Sequence, residues 1–360
     1  MSATSATSPV LLPANQPRQF YRGGSAIAAL RAEPPTDDFT PEDWVASTTT
    51  RFGQDVDGLS RLPDGRLLRD AVIAEPDSWL GAEHVATFGP DTALLVKLLD
   101  AGQRLPVHCH PSDDFARRHF GCRFGKTEAW VVIGAEPTDD APPTVHIGFN
   151  EPVPADELSR WVADQDRPAL LAALNHTSVA PGDTVFIPAG LPHAIGAGVF
   201  VVELQQPTDL SVTLEWQGFL ADERAGHLGV GFDTALCCVD RADWAADDRW
   251  RTLVRHTGDD AATTSPTDPT DPIVELFGAQ ADPFFTAQRL HVDGAIELEP
   301  SFAVLIVLAG AGRLHTERGD STRLRGGDTL VVPHAAGPSV LTGELTAIRC
   351  RPPRTAAHPG

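Results

Sequence analysis

Apolar positions in this chain cluster in short runs rather than in long helical stripes. TALLVKLLDAG (92–102) is near-continuously apolar and closes on glycine, the pattern of a buried strand. LPVHCH (105–110) follows as its partner, and TEAWVVIGAE (127–136), TVHIGFN (144–150), DTVFIPAG (183–190) and GVFVVELQQ (198–206) read as further strands. PADELSRWVADQDRPALLAALNH (154–176) breaks the series with helical spacing, an acidic start and no glycine, and predicts a helical insertion. Upstream, TPEDWVAST (40–48) predicts a capped helical turn and PDSWLGAEHVATFG (76–89) a second one. Residues 1–15 are small, polar and proline-bearing, and predict a disordered N-terminus. GDDAATTSPTDPTDP (258–272) lacks the side chains to bury a core, so a linker is expected over 256–272. Beyond it, short strands with glycine turns predict a small β-barrel or sandwich over 273–360. The expected architecture is mainly β, with a larger unit over 16–255 preceding the smaller one.

Two spacings carry the chemistry. Five residues separate Gly102 from His108, and one separates His108 from His110. Five residues then separate Gly182 from Pro188, with Gly190 next and His193 after two more. Residues two apart on a strand share a face, so both histidines of the first motif can enter a barrel together. With Glu128 between the motifs, three imidazoles and one carboxylate suit a divalent first-row metal. The paired spacings resemble the signature of the cupins, which implies a double-stranded β-helix (jelly-roll) barrel carrying that metal. Gly327 to Pro333 repeats the second spacing without an HxH pair, and His315 and His334 stand alone. The smaller unit therefore reads as a degenerate, metal-free cupin-like domain.

Composition narrows the partners. Lys and Arg number 28 against 49 Asp and Glu, a formal net charge of −21, which argues against nucleic acid or an anionic membrane surface. Any anionic substrate needs a locally basic pocket. The five cysteines have no CxxC spacing and do not suggest a secreted disulfide framework. The N-terminus lacks the charged and apolar regions of a signal peptide, and no apolar run approaches a membrane span. A cytoplasmic protein, monomeric or homodimeric, is expected.

The stretch between the motifs contains His110-Pro111, Asp113-Asp114, His119 and Gly125-Lys126-Thr127-Glu128. The stretch after them contains His193-Ala194, Gly196, Glu203, Gln205-Gln206 and Asp209. In these runs, and in PEDWVAST (41–48), LLVKLLDAG and GAQADPFF (278–285), the chain resembles the class I, zinc-dependent mannose-6-phosphate isomerases of the short bacterial type. The similarity extends over nearly the whole chain. It implies one Zn2+ at His108, His110, Glu128 and His193, Lys126 as a phosphate or oxyanion partner, and a sugar or sugar phosphate as substrate. The implied reaction is an aldose–ketose isomerisation between mannose 6-phosphate and fructose 6-phosphate.

Such a reaction needs a Lewis acid to polarise the carbonyl and stabilise an enediolate. It also needs a group of suitable pKa to shuttle the proton. Glu203, Asp209, Glu215 and a metal-bound water are the candidate shuttles. Three departures qualify the resemblance. His108 stands where the family usually has glutamine. Pro106 replaces a serine that helps hold phosphate. Thr213 replaces an arginine thought to assist catalysis. The losses at Pro106 and Thr213 predict weak turnover of mannose 6-phosphate and a substrate shifted towards another sugar or its phosphate. Two alternatives remain open at the level of sequence: a non-catalytic sugar-binding cupin, favoured by Thr213, and a cupin oxygenase using iron or manganese at the same four ligands.

Overall fold

The apolar runs pair into three antiparallel sheets in the computed structural model, which describes residues 6–138, 142–257 and 271–354. The N-terminal strands are β1 (Val10–Leu11), β2 (Glu42–Val45), β3 (Leu95–Asp100), β4 (His108–Cys109), β5 (Glu128–Ala135) and β6 (Thr144–Phe149). After these come β7 (Leu174–Ser178), β8 (Thr184–Ile187), β9 (His193–Ile195), β10 (Val199–Gln205), β11 (Val212–Thr213) and β12 (Val254–Arg255). The C-terminal strands are β13 (Ile273–Glu275), β14 (Thr286–Leu298), β15 (Ala303–Thr316), β16 (Ser321–Arg325), β17 (Thr329–Val332) and β18 (Ser339–Arg351).

One sheet runs β12-β8-β5-β10-β3-β2 and a second β11-β4-β9-β6-β7. They supply the two walls of the motif-bearing barrel. β3 and β10 are buried along their whole length, as continuous apolar runs require of central strands. The third sheet runs β1-β17-β15-β18-β14-β13, with β16 paired to β15. Its core is not isolated from the barrel: Phe285, Val304, Ile306 and Ile348 belong to the same buried cluster as Val96, Val131 and Val202.

The motif glycines are explained by local geometry. A Cβ on Gly102 would lie 2.1 Å from the carbonyl oxygen of Gly23, so the turn after β3 packs directly on the N-terminal backbone. Gly190 has φ +90, a conformation that favours glycine, and its amide donates to the carbonyl of His110 at 2.6 Å. That bond ties one motif to the other.

Several expectations change. Residues 40–48 supply a strand rather than a helical turn, because Glu42–Val45 pairs with β3 in register Trp44↔Lys97. The Thr-Pro-Glu-Asp start imitates a capped helix, but pairing with β3 decides the conformation. The disorder expected over 1–15 does not hold from residue 6 onward. β1 pairs with β17, and Ala6, Val10 and Leu12 are buried. Residues 1–5 and the linker residues 258–270 lie outside the described residues. The insertion at 154–176 forms helices Ala155–Asp164 and Arg167–Ala172, and its last residues already belong to β7. Among the described residues, no helix is long and apolar enough to cross a membrane.

Candidate metal centre and catalytic pocket

The inner face of the first sheet carries charge where apolar side chains would ordinarily stand. Across β2, β3, β10 and β5 the directly opposed residues are Trp44, Lys97, Glu203 and Trp130. Lys97 is 2% exposed; its Nζ lies 3.4 Å from Glu203, 3.4 Å from Glu42 and 4.8 Å from the Trp44 ring centroid. Glu42 and Glu128 sit two positions before the tryptophans, on the same face. Each accepts the indole N–H of its neighbour, at 2.6 Å from Trp44 and 3.0 Å from Trp130. Lys126 completes the line, 3.0 Å from Glu128 and 3.7 Å from Glu203. Glu42, Lys97, Glu203, Lys126 and Glu128 thus alternate in sign across a buried surface.

That alternation sets the ionisation. Burial alone would neutralise Lys97, but Glu203 and Glu42 outweigh it and hold its pKa above the ordinary value. Burial would raise Glu128, yet Lys126 and His110 hold its carboxyl well below the usual carboxylate range. Glu203 goes the other way: burial raises its pKa, and Lys97 offsets this only in part.

The imidazoles come from the facing sheet. His108 begins β4, His110 follows it, and His193 begins β9 opposite His108. Their ligating nitrogens lie within 4.8 Å of one another. Each Nδ1 meets a backbone carbonyl: Pro106 at 2.8 Å from His108, Leu210 at 2.9 Å from His110, and Leu191 at 2.8 Å from His193. A carbonyl can only accept, so each Nδ1 carries a proton, which leaves each Nε2 as the nitrogen facing inward. Nε2 of His110 lies 3.0 Å from Glu128 Oε2, and Nε2 of His193 lies 3.3 Å from Glu128 Oε1. Neither nitrogen has a hydrogen-bond partner, and Glu128 Oε2 is met by the Lys126 ammonium at 3.0 Å. Burial, then Lys126, pushes His110 down to about 3, and burial pushes His108 well below its ordinary value, so both are neutral near pH 7. Buried acceptors facing acceptors need a cation between them. The donor set therefore fits a divalent metal, with backbone carbonyls orienting each imidazole from behind.

A cavity of about 160 Å³ opens from this cluster. Glu203 and Asp209 both line it, as do His108, Lys126 and Glu128. Asp209 is half-buried and accepts the amide of Phe52 at 3.0 Å through Oδ2; burial raises its pKa. Pro106 and Thr213 also line the cavity, with Thr213 paired to His108 across β11 and β4. Glu215 is absent from that lining. It is fully buried, held by Arg104 at 2.7 and 2.6 Å and by the amide of Val107 at 3.1 Å. Gln205 shares Glu203's face but spends its amide on the carbonyls of Gln206 and Thr208.

Sequence reasoning missed Lys97, Glu42, Tyr21 and Arg51, all of which line the cavity. Lys97 was visible as the one charge inside an apolar run, where a buried lysine needs carboxylate partners. Glu42 was hidden by the helical reading of its segment. Tyr21 donates to Glu42 at 2.5 Å from irregular chain that gave no periodic signal.

A mannose-6-phosphate isomerase of Streptococcus mutans is 30% identical over 281 residues, covering 75% of this chain and 78% of its own length. A probable mannose-6-phosphate isomerase of Bacillus subtilis is 37% identical over 131 residues, covering 35% of this chain and 39% of its own. Among solved structures, a mannose 6-phosphate isomerase from Bacillus subtilis superimposes with a TM-score of 0.71 at 20% identity, covering 96% of this chain and 99% of that one. A phosphomannose isomerase from Salmonella typhimurium gives 0.70 at 15% identity, covering 96% and 100%. No family model matches the chain.

Proposed function

Because the chain belongs to the mannose-6-phosphate isomerase family, we propose that it interconverts mannose 6-phosphate and fructose 6-phosphate, using zinc held by His108, His110, Glu128 and His193. The observation that supports this most is the convergence of His108, His110, His193 and Glu128 beside a cavity of monosaccharide scale. When bound, the metal supplies Lewis-acid polarisation of the sugar carbonyl and lowers the cost of the enediolate.

The chain's own residues do the rest. Lys126 places its ammonium beside Glu128, where negative charge develops on the substrate oxygens. Asp209 carries the carbon-bound proton, taking it from C2 and returning it to C1, while the hydroxyl proton passes from O2 to O1. It is the more accessible of the two candidate carboxylates, and its raised pKa brings it closer to the working range of a general base. Glu203 is 2% exposed and shared between two ammonium groups. Its role is to hold Lys97 and Lys126 in place. All five cysteines are free thiols, which suits the reducing cytoplasm.

The test is isomerisation of mannose 6-phosphate by protein loaded with zinc, together with metal content by elemental analysis. We expect about one metal per chain in the wild type, lost in His110→Ala and His193→Ala along with turnover. Unchanged metal content in both variants would remove the site. Loss of metal without any wild-type turnover would leave the site and remove the activity.

A further inference from the structure

We propose that Arg51 is the residue that selects a phosphorylated substrate, holding the phosphate at the mouth of the cavity; this rests on the isomerase reading above. Three cations line the cavity: Lys97, Lys126 and Arg51. Two are already committed. Lys97 sits between Glu42 and Glu203, and Lys126 between Glu128 and Glu203, each within 3.7 Å and all of them buried. A phosphate dianion drawn to either lysine would compete with a buried carboxylate.

Arg51 is different on each count. Its side chain is 29% exposed, and its ion pair is a single contact of 3.1 Å from Nη1 to Asp57, whose own side chain is 42% exposed. Its Nε is buried and has no partner. A guanidinium presents several N–H groups in a fixed fork, so it can bind phosphate oxygens with the groups that Asp57 leaves free. The walls near the histidines offer no substitute. Pro106 has no donor, and Thr213 contributes a hydroxyl but no charge.

Position is fixed through the neighbouring residue. The amide of Phe52 donates to Asp209 at 3.0 Å, and the amide of Arg51 donates to the carbonyl of Asp57 at 2.9 Å. The loop bearing the guanidinium is thus anchored on the carboxylate proposed to move the proton. Arg51 belongs to none of the barrel's motif strands, so the phosphate contact comes from a separate part of the chain. That arrangement supplies a cation despite the losses at 106 and 213.

The experiment compares Arg51→Gln and Asp57→Asn with the wild type, using mannose 6-phosphate, unphosphorylated mannose and inorganic phosphate as probes. For Arg51→Gln we expect KM for mannose 6-phosphate to rise about ten- to a hundredfold with kcat nearly unchanged. Turnover of mannose should not change, and inhibition by inorganic phosphate should weaken by a similar factor. Asp57→Asn should keep the wild-type KM. An unchanged KM in Arg51→Gln overturns the proposal, as does an equal rise in Asp57→Asn, which would mark Arg51 as a loop strut. Should the wild type isomerise neither sugar, the activity reading fails. Calorimetric titration with inorganic phosphate then decides the matter: binding lost in Arg51→Gln supports the site, and binding unchanged removes it.

Discussion

At the residue scale, the buried line of charges separates side chains that hold the pocket from those that act in it. Lys97 makes two ion pairs with no solvent to replace it, so Lys97→Met leaves Glu42 and Glu203 buried without their shared cation. Breaking such a pair costs about 3–5 kcal/mol. The urea midpoint should fall accordingly, and a midpoint within error of wild type would mean the line contributes little to folding. Asp209 should behave in the opposite way. Asp209→Asn removes the proposed proton carrier while its amide oxygen can still accept from Phe52, so folding should be little changed. Turnover should drop about 10²–10⁴-fold, the usual contribution of a positioned acid or base. Steady-state kinetics beside a thermal melt distinguishes the two cases. If Glu203→Gln is the slower enzyme and Asp209→Asn remains active, the assignment between the two carboxylates is reversed.

At the element scale, the site is made by two sheets that contribute opposite kinds of group. The β4 and β9 wall presents imidazoles, and the β2-β3-β10-β5 wall presents the alternating carboxylates and lysines. This has a pH consequence for the metal-free protein. An unfolded histidine takes up its proton near 6.5, whereas folded His110 does so only at about 3 and His146 only at about 4, both because burial disfavours the cation. Below 6.5 the unfolded chain therefore binds more protons, and stability falls as pH falls, by about 1.4 kcal/mol per pH unit for each such group. Glu203 and Asp209, with raised values, add stability that is lost as pH rises, but their ordinary values of 4.5 and 3.8 place the start of that change at lower pH. The Glu203→Gln, Asp209→Asn double variant removes that opposing change, so in it the histidines should dominate between pH 7 and 5. The urea midpoint of the chelator-treated double variant should drop steadily over that interval, and a flat profile would contradict the neutral, buried state of His110 and His146. Much of this wall was legible beforehand, because HxH and G-x5-P-x-G-x2-H fix both register and face on short strands. Its counterpart was not. Glu42 lies on a strand whose sequence imitates a helix start, and Arg51 reaches the cavity from a loop whose position depends on a contact 157 residues away in sequence. Local pattern carries no information about such a contact.

For the whole molecule, the N-terminal segment ties together two units that sequence alone suggested were separable. β1 pairs with β17 at the edge of the C-terminal sheet, and Val10 and Leu12 are each 6% exposed. A few residues on, the amide of Asn15 donates to Asp43 at 2.8 Å, and Gln19 donates to Glu42 at 2.8 Å in the barrel. The same segment therefore reaches from the edge of one sheet to the charged row of the other. The two units also share a continuous apolar core, with Phe186 of β8 against Phe284 and Phe285 at ring distances of 6.4 and 6.5 Å. Removing residues 1–12 deletes β1, bares the β17 edge and takes two large apolar side chains out of the core. Burial of such a side chain contributes about 1.5–3 kcal/mol, so the melting temperature should fall by several degrees. Because the core is shared, the truncated protein should still unfold in one calorimetric transition. Its metal content should match wild type, since no metal ligand and none of the charged row is removed. Two separated transitions would show that the C-terminal unit folds independently of the barrel. An unchanged melting temperature would show that β1 adds nothing to the sheet it borders.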